Sequence, residues 1–456
     1  MTGTTSASSE AGLLGSGFDP AVDVAVVERA RGGTVRVGVW AAPDPSSPGI
    51  GGAAVRALVH PQLFVARPDG RWSPSLVEPG SDRTADDRLS ATFRLRSGVM
   101  WSDGSPVAVE DLRRTMDPRF VTAVEPGSGG PAEVVVRFTQ PLPGWRRLWS
   151  GADSIAPPAP GVWGGPFSVA STVPGLETVL VRNESWWGSG PFLDGVTLVL
   201  VPDATTARLL LARGELDVVM PPAATVRKEQ LERVDGVAVD AVERGGWTVS
   251  LVANVDRLSF EKRRALLASF DRPAFVGTLL RGEATVLDGF AGPEDAVWAG
   301  VRGAGDVGGL RGSSVDLVGV AEEPMTPLVH RSMQKRARSA GGTLELRSAE
   351  VDRVEGWLRE GSFDAAVVVG LDPLATCWRC RFGDLPEVAG ADAGDASAVA
   401  ALQVRLRDEA RVLPLWRSST VVAWRSSVVG GVRANGYAAS AAWNAWEWFS
   451  PGGGGG

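Results

Sequence analysis

Apolar and polar residues alternate in short runs along most of the chain, and turn residues separate the runs. Thr34 to Trp40 (TVRVGVW) predicts a half-buried strand that ends in the turn-rich loop APDPSSPG. Leu58 to Leu76 reads as a hairpin about Asp69-Gly70. In FRLRSGVMWSDGSPVAVED, Phe93 and Leu95 point one way and Arg94 and Arg96 the other, as a strand requires. Ser102-Asp103-Gly104 is then a tight turn, Pro106 cannot extend a ladder, and Val109 starts a helical run through Leu112 and Met116. Glu133 to Thr139 alternates again. Pro202-Asp203 opens an amphipathic helix with Leu209, Leu210 and Leu211 inward, and Gly214 stops it ahead of a strand. Val315–Val320, a helix from about Pro327 to Ala340, and Thr343–Leu346 form a β-α-β unit; Phe363 begins another buried strand. Strands alternating with helices imply an α/β class with substantial parallel sheet.

Composition narrows the picture. At 456 residues, the chain predicts two or three packed units. With 44% apolar and 22% charged residues it is a folding sequence, and 57 Gly and 31 Pro mark many loops. A net charge of −7 offers no basic surplus to neutralise phosphates, which argues against nucleic-acid or anionic-membrane partners. No run reaches the roughly 18 apolar residues of a membrane span. Residues 1–30 read as a mobile leader without the positive and apolar segments of a secretory signal, and without a cysteine to carry a lipid. Residues 450–456 read as a flexible tail.

The order strand, W-S-D-G turn, P-V-x-x-E-D helix start closely resembles the signature of the family 5 extracellular solute-binding proteins, the peptide- and nickel-type binding components of ABC importers. Further motifs resemble the family in its order: the strand at Thr34, Asp44-Pro45, the Asp69-Gly70 hairpin, Gly165-Pro166-Phe167, Val181-Arg182-Asn183 before Trp186-Trp187, Gly214-Glu215-Leu216-Asp217, Asp271-Arg272 at the end of a helix, and Leu413-Pro414-Leu415. The resemblance runs from about Gly32 to Trp448. Two stretches, Thr115–Val134 and Cys380–Val412, look shorter than the family usually has.

The resemblance implies a bilobal α/β fold of the periplasmic-binding-protein type, with mixed sheets and two lobes joined by two crossing strands. Lobe I would comprise residues 31–246, with a subdomain at about 61–161. Lobe II would comprise 247–412, and 413–449 would return to lobe I. The strands at Trp247–Asn254 and Leu413–Trp416 would be two parallel crossings, giving a hinge that bends but twists little. The protein would be a monomeric, extracytoplasmic receptor, its signal or lipid anchor absent from the sequence as given. It would bind peptides or similar small solutes and deliver them to ABC permease subunits. Alternatives are a non-transport, ligand-sensing relative and an oligosaccharide-binding member.

For ligand contacts, the expectation falls on Trp40, Trp247, Trp378 and Trp416 at loop or crossing positions, because Trp is stiff, amphipathic and large. The ordinary reading of any one tryptophan is a core residue. Asp44 and Asn254 are added from the same segments. Asp372, just beyond the buried strand VVVGL, would meet a peptide's amino terminus; Asp-Pro is also an ordinary turn opener. Cys377 and Cys380 are the only cysteines and are read as a local disulfide in an exported protein; free thiols would suit a cytosolic one. His60 and His330 make no metal-like pair, and no cofactor is expected. The sequence carries no nucleophile elbow, P-loop, dinucleotide fingerprint or HExxH, so no enzyme is expected. Glu322-Glu323 and Asp86-Asp87 read as solvated loop charges.

Overall fold

The computed structural model describes residues 31–451 apart from Pro48, Arg119, Pro143, 152–153, 222–226, 243–246, Gly282, 290–296, Gly300, 302–304, Glu322, 372–384, 389–390, 392–395 and Ala439. The expected leader therefore lies outside the described residues. β1 (Thr34–Val39) buries Val35, Val37 and Val39 on one face while Thr34 and Arg36 face solvent, the period-two pattern of a strand, with Gly38 covered on the other face by Leu216, Val201 and Val219. α1 (Ile50–Val59) packs Val55, Leu58 and Val59 against the same core.

A smaller module follows. It contains the hairpin of β2 (Phe64–Ala66) and β3 (Trp72–Pro74). Beside it, β4 (Arg83–Thr84), β5 (Ser90–Arg94), β6 (Val121–Pro126) and β7 (Glu133–Phe138) form a four-stranded antiparallel sheet in the order β4-β5-β7-β6. α2 (Val109–Arg114) connects β5 to β6. The W-S-D-G signature acquires its physical meaning here. Asp103 folds the turn by accepting from Ser105 N–H at 2.9 Å. Asp111 accepts from the Trp101 indole at 3.1 Å and from Ala108 N–H at 3.0 Å, tying the helix start to the buried tryptophan.

The chain then adds β8 (Phe167–Val173), β9 (Glu177–Arg182), β10 (Gly195–Leu200), α3 (Ala204–Arg213), β11 (Val218–Val219), α4 (Lys228–Glu232) and β12 (Val237–Val242). α3 starts where Asp203 accepts from Thr205 and Thr206 N–H at 2.8 and 2.9 Å, and ends where Gly214 adopts φ 71°, a left-handed cap that favours glycine. Only part of its expected face is inward. Leu211 is buried, Leu210 is half-buried and Leu209 is exposed, because a 3.6-residue period cannot turn three consecutive side chains to one side.

A second body contains β13 (Trp247–Ala253), α5 (Phe260–Ala268), α6 (Arg272–Phe275), β14 (Ala284–Val286), β15 (Ser314–Val320), α7 (Met325–Ser339) and β16 (Thr343–Ala349). It continues through α8 (Val351–Glu360), β17 (Ala365–Leu371), α9 (Ala396–Asp408) and β18 (Val412–Ser418). β19 (Thr420–Arg425) then rejoins the first body, and a 3-10 run over Ala441–Glu447 closes it.

Two large sheets result, one per lobe. The first has the order β12-β19-β11-β1-β10-β9-β8 and the second β14-β18-β13-β17-β15-β16. Each packs on its own apolar core. Val35, Val37, Leu198 and Val422 belong to the first, and Leu251, Leu317, Val329 and Trp416 to the second. Among the described residues, parallel pairing is confined to β1 with β10 and β11, and to β15 with β16 and β17. The sheets are therefore mixed, with less parallel pairing than the alternation of strands and helices predicts. Hairpins such as β8–β9, and strands that carry the chain out and back, must pair antiparallel.

The chain passes between the sheets twice, from β12 to β13 through 243–246, and from β18 to β19 through Ser419 alone. β12 and β19 are neighbours, as are β13 and β18, so the two passages lie side by side. They run in opposite directions rather than parallel, as a chain that leaves and comes back requires. The return was expected at Leu413, but β18 stays in the second sheet to Ser418.

Candidate functional site

Strand register identifies one edge of each sheet as special. In the first sheet Val242 at the end of β12 faces Thr420 at the start of β19, and β11 and β1 run parallel to β12. The carboxyl ends of β1 and β11 therefore lie on the edge where the chain crosses. In the second sheet Trp247, the first residue of β13, pairs with Leu371, the last of β17. β15 runs parallel to β17, so its carboxyl end lies on that same side. The carboxyl edges of the parallel strands of both lobes thus meet at the two passages. Open α/β sheets bind ligands at such edges, where loops diverge from strand ends and leave a crevice.

On the first lobe this edge carries a fixed loop. Asp44 Oδ1 accepts from Ser46 N–H at 2.8 Å and from the Ser46 hydroxyl at 2.6 Å. Arg56 donates to the carbonyls of Pro45, at 3.1 Å, and Ser47, and the Thr178 hydroxyl donates to that of Pro43. Gly51 is needed for the loop's descent onto α1, since a Cβ there would collide with the Ala42 carbonyl. Trp40 leads into this loop, half-buried and packed against the first core.

On the second lobe β15 leads to Glu323, ahead of α7. Met325 N–H donates to its carboxylate at 3.2 Å, yet burial pushes the acid up to about 7. Glu323 was expected to be a solvated loop charge. It is instead half-buried ahead of the helix, and the loss of water around the carboxyl disfavours its charged form. Glu283, before β14, is also raised, chiefly by burial, although Lys228 N–H donates to it. Neither acid was singled out from sequence as a site residue; for Glu283 the partner, Lys228, lies 55 residues away in the chain.

The structure brings Trp40, the Asp44 loop and Trp247 to the crossing edge, with Asp44's carboxylate engaged by Ser46. Two expectations are corrected. Trp416 is fully buried in the second core, stacked on Phe275 at 5.0 Å between ring centres, with its indole N–H donated to Ser418 at 3.2 Å. An inward position on β18 leaves it no face for a ligand. Asn254 follows the far end of β13, seven residues from Trp247 and on the order of 20 Å away along an extended strand. Its amide donates to the carbonyls of Gly361 at 3.1 Å and Phe363 at 2.9 Å, and its oxygen accepts from Asp256 N–H at 3.0 Å, so it closes a turn away from the crossing. Asp372, Cys377, Trp378 and Cys380 lie outside the described residues.

A recess in the first lobe, lined among others by His60, Gln62, Trp186, Trp187 and Trp446, has room for little more than a water molecule and lies within that lobe rather than at the crossing. His60 there is buried, and burial together with the nearby Arg56 charge lowers it to about 4. Among the described residues no cluster of three or more His, Cys, Asp or Glu is placed to hold a metal ion, and no helix is long and apolar enough to cross a membrane.

Comparison with known proteins agrees with this architecture. The fold superposes on the oligopeptide-binding protein AppA of Bacillus subtilis, solved in complex with a nonapeptide, with a TM-score of 0.75 at 14% identity, covering 93% of this chain and 100% of that one. In sequence the chain is 28% identical over 258 residues to the probable monoacyl phosphatidylinositol tetramannoside-binding protein LpqW of Mycobacterium tuberculosis, covering 48% of this chain and 40% of that protein. It is 27% identical over 186 residues to the oligopeptide-binding protein OppA of Mycobacterium bovis, covering 33% of this chain and 31% of that one. The chain thus spans less than half the length of these two curated relatives. The model of the bacterial extracellular solute-binding proteins, family 5 (middle region), matches residues 71–303, just over half of the chain. The chain therefore belongs to family 5 of the bacterial extracellular solute-binding proteins.

Proposed function

We propose that this chain is an extracytoplasmic receptor that takes a peptide or similar small solute between its lobes and presents it to the permease of an ABC importer. The observation that carries the reading is the meeting of both carboxyl edges at the two side-by-side passages. Two lobes so joined can swing about the passages. A ligand that touches both lobes only when they are together draws them closed, by the difference in its affinity for the two states. The action is binding and release, without a chemical step. Peptides lead as the ligand class because OppA and AppA, by name, bind oligopeptides. Extended ligands also suit strand ends, which offer backbone groups to a peptide main chain.

Within this reading Trp40 and Trp247 are ligand contacts from opposite lobes. Asp372, one residue beyond β17, takes the ligand's amino terminus, and a Cys377–Cys380 disulfide stiffens the segment that carries it. If so, Asp372→Asn weakens binding of a free-amine peptide far more than of its acetylated form. Equal losses in calorimetry would remove that role. The wider test is a screen of peptides, sugars and metal chelates by intrinsic tryptophan fluorescence, in which a peptide should shift the emission. The name of LpqW makes mannosides a specific second arm. A response to mannosides alone would replace the peptide assignment, and silence across all three classes would remove the ligand reading.

A further inference from the structure

A contact between the lobes lies beside the hinge. Glu283 belongs to the second lobe, immediately before β14, whose Ala284 pairs with Ser418 at the end of β18. Its backbone carbonyl accepts from Ser419 N–H at 3.2 Å, and Ser419 is the single residue of the return passage. Its side chain reaches the other lobe, where Oε1 accepts from the backbone N–H of Lys228 at 3.2 Å. Lys228 is the first residue of α4, a helix whose Leu231 is packed into the first lobe with Leu216, Val421 and Ala423. A carboxylate of one lobe thus serves a first-turn N–H of a helix in the other, a donor that no bond within α4 can satisfy.

We propose that Glu283 is an interlobe strut, holding α4 against the return passage and so setting the balance between lobe arrangements before any ligand arrives. Its leverage comes from position. The backbone bond fixes Glu283 to the pivot, so the side-chain bond holds only while α4 keeps its present angle to β14. A swing of the lobes that carries α4 away must give up that bond. A bond from a half-buried carboxylate to a peptide N–H is worth enough to shift a two-state balance by about tenfold.

The test deletes the bond from each side. Glu283→Ala removes the acceptor. Lys228→Pro removes the donor while leaving the helix start intact, because proline is favoured at the first helical position and Arg227 before it is already extended at ψ 139°. Spin labels carried by genetically encoded non-canonical residues at exposed Leu176 and Phe260 report the interlobe distance in the full chain. Both single variants should shift the ratio of interlobe populations about tenfold in the same direction, and the double variant no further. Glu283→Gln, which keeps an oxygen acceptor, should fall between them and the unmodified chain. A distance distribution unchanged in both single variants would overturn the proposal, as would effects that simply add. Should Glu283→Ala fail to fold, Lys228→Pro against Glu283→Gln still decides it.

Discussion

Single residues here owe their behaviour to neighbours remote in sequence. Arg272 is 1% exposed, yet its guanidinium donates to the carbonyls of Leu287, Pro414 at 3.1 Å, Trp298 at 2.8 Å and Val301 at 2.6 Å, with Asp288 at 3.3 Å. A buried charge is tolerable only when so surrounded. His60 shows the opposite solution, staying neutral with the Ser154 hydroxyl 3.3 Å from its ring nitrogen. Its depressed value makes stability depend on pH. The unfolded chain protonates this histidine below about 6.5, while the folded protein resists until about 4. Stability from this group is therefore complete above pH 6.5 and falls through that window by about 3 kcal/mol. Denaturant titrations from pH 7 to 4 should show this slope in the unmodified chain and a flatter one in His60→Asn; identical slopes would disprove it. The sequence presents His60 and Arg272 only as an isolated histidine and half of a motif. Burial and partners come from segments up to 142 residues away, as with Arg272 and Pro414.

At the level of elements, the alternating runs were the legible part. β5 and β7 each bury one face, and a period of two is visible without any partner strand; β15 alternates at Val315 and Leu317 but also buries Val318 on its other face. Turn and cap chemistry was equally plain, since Asp203 and Gly214 bracket α3 by local rules. Asp203→Ala should lower the denaturant midpoint measurably, because two first-turn N–H groups lose their acceptor. A change within error would mean that water caps the helix equally well. β8 was not legible as a strand. It lies at the sheet's edge with Ala170, Ser171 and Val173 exposed, and a bulge between Val169 and Ser171 interrupts its register, so no alternation survives in its sequence. Trp416 misled for a related reason. A tryptophan near a crossing looks like a ligand platform, and only the inward register of β18 against β13 and β14 sends it into the core.

For the molecule as a whole, the order of motifs conveyed two bodies and two passages, while the position of the second passage depended on pairing. β18 shares its apolar pattern with either sheet, and its hydrogen bonds to β13 and β14 assign it to the second. The candidate site follows from that topology more than from any side chain. Strand ends meet there because the passages are adjacent, whichever residues the loops carry. The adjacency has a genetic corollary. Residues 247–418 form one uninterrupted segment inserted into the other half, and the two cut points, after Val242 and before Thr420, already stand opposite each other across a ladder. Splicing out the insert and bridging that gap with a turn of about two to five residues would convert β12 and β19 into an ordinary hairpin. The ladder between β12 and β19 in the outer half thus needs none of the inserted residues to close, and the crossing edge lies where the insert joins it.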